Sequence, residues 1–84
     1  MTNEKLDLKR VWQETVIIAV GFENAFVMPN RLHEPNAWCA IVTSGYVRPD
    51  RTTSTDAVWY QSREAAKQAA YRYLELTEFG PNEI

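Results

Sequence analysis

The sequence predicts an α+β fold: a three- or four-stranded antiparallel sheet, a C-terminal helix packed on one face, and a short N-terminal helix. Three observations predict it. Residues 16–20 (Val-Ile-Ile-Ala-Val) and 38–42 (Trp-Cys-Ala-Ile-Val) are apolar at consecutive positions and rich in β-branched side chains. Strand neighbours point to opposite faces, so a sheet built from such runs keeps both faces from water. Ala66, Ala69, Ala70, Tyr73, Leu74 and Thr77 recur at helical spacing behind Ser62, a good N-cap residue. The chain has 84 residues, which is one domain with a small core.

The elements follow in order. Residues 4–15 read as a short helix or an extended lead-in; Leu8, Val11 and Trp12 stand at i, i+3 and i+4, which favours the helix, and Thr2 or Asn3 can cap it. It must dock to persist, and the sheet face under the C-terminal helix or the sheet edge would receive it. Residues 15–22 form a strand and residues 21–25 a turn. Phe26, Val27 and Met28 return as a second strand up to Pro29; the alternative is one long strand bulged at Gly21. Residues 30–36 are a loop. Residues 37–47 read as one strand with a bend at Gly45, residues 49–56 as a polar hairpin tip, and residues 57–60 as a short last strand.

Residues 62–76 form the C-terminal helix, ended by Gly80 and Pro81. Its mostly alanine face lets it approach the sheet closely. Trp38, Ile41 and Trp59 would then supply the bulk from the sheet side. Residues 81–84 are expected to fray.

Composition excludes several functions. The hydrophobic fraction of 45% and charged fraction of 24% are those of a globular protein. A net charge of −2 is not the footprint of a protein that holds nucleic acid by charge alone. One cysteine permits no internal disulfide, no signal peptide is visible, and no apolar run approaches a membrane span, so a cytoplasmic location is expected. There is no phosphate-binding glycine loop, no Cys-x-x-Cys and no His-Glu-x-x-His. His33 is the single histidine, with Glu34 beside it, and reads as a loop residue; Cys39 reads as a small buried hydrophobe. No catalytic residue, cofactor or metal site is expected, and the chain is not expected to be an enzyme.

Three functional readings remain. The first is a non-enzymatic interaction module, homodimeric through an apolar sheet face or edge, or an accessory to a larger protein. If both helices cover one face, the other exposes either Ile17, Ala19, Cys39 and Ile41 or Val16, Ile18, Val20 and Trp38; if the helices split, one on each face, a single chain shelters both. The partner-binding candidates are Ile17, Ala19, Trp38, Ile41 and Trp59. The second is a nucleic-acid-binding module using Arg48, Arg51, Arg63 and Lys67 as one basic patch. The third is a ligand pocket lined by Trp38, Trp59 and Tyr60 beside Cys39.

The run Ser62-Arg63-Glu64-Ala65-Ala66-Lys67-Gln68-Ala69-Ala70 resembles the last helix of the double-stranded RNA-binding domain. The resemblance covers nine residues and implies phosphate-binding roles for Arg63 and Lys67. Glu64 stands where that family carries its middle lysine, and Val58-Trp59-Tyr60-Gln61 replaces its glycine-containing approach to the helix.

Overall fold

The computed structural model describes residues 12–29 and 36–84. It shows the α+β class: one antiparallel meander in the order β1 (Val16–Val20), β2 (Glu23–Pro29), β3 (Trp38–Val42), β4 (Gly45–Val47) and β5 (Thr53–Ser54), then a C-terminal helix, Arg63–Tyr73. Residues 12–14 are helical and Thr15 is not, and residues 4–11 of the expected N-terminal helix lie outside the described residues.

The strand count is five, one more than the largest expected number, and each difference has a local cause. β1 and β2 are joined by a two-residue turn, with Gly21 at φ 59° in its first central position, so the single bulged strand does not form. Residues 37–47 are two strands, because Thr43 and Ser44 turn the chain and set Val42 opposite Gly45. The stretch read as a polar hairpin tip contains β5. Asp50 accepts from the Thr52 amide at 3.1 Å and from the Thr52 hydroxyl, while Arg51 adopts φ 70°. This tight turn returns Thr53 and Ser54 against β4. Residues 57–60 are not a strand. Tyr60 makes an isolated bridge, exchanging both backbone hydrogen bonds with Trp38 at 2.9 and 2.7 Å, and it fills the place beside β3 that the short β4 leaves open.

The C-terminal helix begins as expected: the Ser62 hydroxyl accepts from the Ala65 amide at 3.1 Å. It ends earlier than expected, at Leu74, well before Gly80. Glu75 takes a left-handed φ of 61°; its amide donates to Arg72 and the Leu76 amide to Tyr71, at 3.1 and 2.9 Å. That is a Schellman ending with glutamate in the place usually held by glycine.

The helix lies across β2 and β3 and reaches β4. Between them sits the core: Ile18, Ala25, Val27, Ala40, Val42 and Val47 from the sheet, with Ala66, Ala69, Ala70, Tyr71 and Leu74 from the helix. The alanines do let the helix come close. The bulk beneath it differs from expectation. Trp38 contributes, joined by Tyr60, but Ile41 and Trp59 do not. Ile41 pairs with Phe26 and Tyr46 one position out of phase with Ala40 and Val42, so its side chain leaves by the other face.

Candidate interaction surfaces

The register divides the sheet. Val16, Ile18 and Val20 share a face with Ala25, Val27, Trp38, Ala40, Val42 and Val47, and this face meets the C-terminal helix. The opposite face presents Ile17, Ala19, Phe26, Met28, Cys39, Ile41 and Tyr46. Apart from Cys39, which is buried, all of these are half-buried.

Trp12 meets this second face. Its ring stands edge-on to Phe26 at 6.3 Å between centroids and 84° between planes. At Trp12 the N-terminal segment is therefore on the side away from the C-terminal helix, as in the split arrangement, and not on the face shared with that helix. The Thr15 amide closes back on the Trp12 carbonyl at 3.3 Å just before β1 starts.

Four of the five partner-binding candidates fall on the second face. Ile17, Ala19 and Ile41 point there by alternation, and Trp59 packs its ring on Tyr46 at 6.4 Å. Trp38 is on the helix side, where the Arg63 guanidinium lies over its ring at 5.9 Å. The aromatic pocket therefore does not assemble: Trp38 and Tyr60 are on one side of the sheet, Trp59 and Cys39 on the other. Cys39 is 1% exposed, and burial pushes its thiol up to about 11, so it is a protonated packing group rather than a nucleophile.

A second surface is the outer edge of β1. The expected fraying of residues 81–84 does not occur. The Ala19 amide donates to the Asn82 carbonyl at 3.0 Å and the Ile84 amide to the Ile17 carbonyl at 2.8 Å. The Asn82 side chain adds a bond to the Ala19 carbonyl at 3.0 Å. Glu83, opposite Ile18, turns toward the helix. Its carboxylate takes the Lys67 ammonium at 2.9 Å and the Tyr71 hydroxyl at 2.8 Å. That hydroxyl also accepts from the Gly80 amide at 2.7 Å, and Phe79 stacks on the Tyr71 ring at 4.3 Å. The hydrogen bond from Lys67 is the main cause that holds the Glu83 carboxyl below its ordinary range. Sequence reasoning missed Tyr71 as a core residue because its burial depends on the returning tail.

The same register sets Ile84 beside Ile17 on the second face. Ile84 is 82% exposed and Trp12 57%. Together with Ile17 and Phe26 they make an apolar strip along the β1–β2 side. Phe26 was legible in part, since it alternates with Met28 in a readable strand. Ile84 had no local signal.

The basic candidates are not gathered into one patch. Arg48 and Arg51 share the β4–β5 turn, where Arg48 approaches Asp50 at 3.7 Å. Lys67 is bound to Glu83 at the β1 edge, and β1 lies three strand spacings, about 14 Å, from β4. Arg63 lies 3.9 Å from Glu64 besides covering Trp38. His33 and Glu34 lie outside the described residues. Among the described residues no helix is long and apolar enough to cross a membrane. No protein-family model, curated protein or solved structure matches the chain, so the nine-residue helical resemblance to the RNA-binding domain has no family match beside it.

Proposed function

We propose that the chain is a non-enzymatic interaction module that pairs with a second copy of itself through the sheet face turned away from the C-terminal helix. One observation carries the reading. Trp12 and Ile84 stand largely exposed beside Ile17 and Phe26, forming an apolar strip on a face whose other apolar residues are half-sheltered or, at Cys39, buried, and which also carries the exposed Asn24 opposite Ala19. Isolated exposed hydrophobic residues are ordinary, but a contiguous strip marks a contact surface. A two-fold axis lets the strip cover itself without a separate complementary surface. Burying a few hundred Å² of it contributes several kcal/mol at about 25 cal/mol per Å², enough to matter to a domain this small. A single reduced, buried cysteine fits a cytoplasmic setting for such a module.

Light scattering across a concentration series tests the proposal. The expected mass is that of two chains, and Trp12→Ser should weaken the pairing at least tenfold, since losing a buried tryptophan costs upward of about 2 kcal/mol at an interface centre. A single-chain mass at every concentration overturns the self-pairing. A pairing that Trp12→Ser leaves untouched overturns the choice of face. A single-chain mass with Trp12-dependent binding to a larger protein transfers the surface to that protein instead.

A further inference from the structure

The tail has an occupant's role at the sheet edge. β1 is a terminal strand of the sheet, and its five residues, Val-Ile-Ile-Ala-Val, include no charge and no proline. Edge strands ordinarily carry such features to stop them pairing with another chain. Here the only cover among the described residues is the tail: two backbone bonds, the Asn82 side chain, and the Glu83 carboxylate moored to Lys67 and Tyr71.

We propose that the β1 edge is a strand-addition site kept closed by the chain's own tail, and that its occupant when the tail lifts is β1 of a second copy. The outward groups fit that occupant. Ile17 presents its carbonyl and Ala19 its amide and carbonyl, the groups that now bind the tail. A two-fold axis at Ile18 sets Ile17 of one copy opposite Ala19 of the other in antiparallel register. In that register each Ala19 amide donates to an Ile17 carbonyl, replacing the bonds given up to the tail. The five-residue strand is uncharged along its whole length, so nothing in it repels its copy. The side chains of Ile17 and Ala19 remain on the second face and those of Val16, Ile18 and Val20 on the helix side, so both sheets continue without a break. This edge pairing uses a different surface from the face-to-face pairing proposed above, but lifting the tail also withdraws Ile84 from the strip beside Ile17.

Glu83→Lys in the full chain tests it by replacing the pair with Lys67 by a repulsion. Parent and variant both carry Trp12→Ser, which removes the face-to-face pairing, and their masses are read under identical conditions. The expected result is a doubled mass that returns to the parent value when Ala19→Pro, which removes the outward amide, is added. Circular dichroism checks that each variant is folded; if Glu83→Lys is not, Glu83→Gln is the substitute and is read in the same way. An unchanged mass overturns the proposal, whether Ala19 amide exchange shows the edge open or still covered. A doubled mass that Ala19→Pro does not reverse also overturns it, because the association then uses another surface.

Discussion

Gly45 holds φ at 137°, and a Cβ built there would stand 2.5 Å from the Ser54 carbonyl oxygen. The backbone of β5 passes too close for any side chain, and it cannot retreat without breaking the β4–β5 pairing. Gly45→Ala should therefore cost about 3 kcal/mol or more, measured by denaturant unfolding, since it combines a disfavoured φ with a backbone clash. Gly21 also has a positive φ but open space around it, so its alanine variant should cost less, about 1 kcal/mol. Cys39 supplies a different residue-scale expectation. Its buried, protonated thiol should not react with a thiol reagent at neutral pH in the folded protein and should react fully once unfolded. Rapid modification under native conditions would contradict the burial.

Among the elements, the C-terminal helix shows how local chemistry and tertiary context divide the work. Its start was readable from Ser62 alone, because an N-cap is a contact within four residues. Its end was not, because Glu75 is an unusual occupant of a left-handed position and Gly80 offered a more obvious stop. Glu75→Gly should raise stability by about 1 kcal/mol, the approximate penalty an L residue meets there. A thermal melt reads the change directly, and a lower melting temperature would contradict the assigned ending. The strands divide in the same way. The apolar runs of β1 and β3 are long enough to declare themselves. The Thr43–Ser44 turn has no glycine or asparagine at its centre, and Gly45 just beyond it invites the reading of a bend. β5 has two residues, too few for any alternation to register.

For the whole molecule, the faces of the sheet were legible as a pair of alternatives, and the packing of the C-terminal helix on the face of Ile18, Val27 and Ala40 selects one of them. What could not be read was the placement of Trp12, Ile84 and Tyr71, since each depends on segments far apart in sequence. The Glu83 clamp joins three such segments and gives the stability a pH dependence. Because the folded carboxyl is held low by Lys67, it favours folding above the ordinary glutamate range, and this contribution is lost as pH falls through the depressed value. Lys67 and Glu83 are 16% and 24% exposed, so the pair is partly screened and the loss should be about 1 kcal/mol. At the alkaline end, burial holds the Tyr71 hydroxyl in its neutral form, and that contribution fades as pH rises above the ordinary phenol range. Urea titrations at stepped pH should show the acid-side loss in the parent and a flattened profile in Glu83→Gln.

The bond between Asn82 and Ala19 spans 63 positions, whereas every strand pairing in the meander joins sequence neighbours. Hairpins close in microseconds, but drawing together ends so distant costs chain entropy that no short loop incurs. Folding should thus proceed in an order, with the meander and helix assembling first and the tail docking on a surface already made. A refolding experiment monitored separately at the strands and at Phe79 would see the second signal lag.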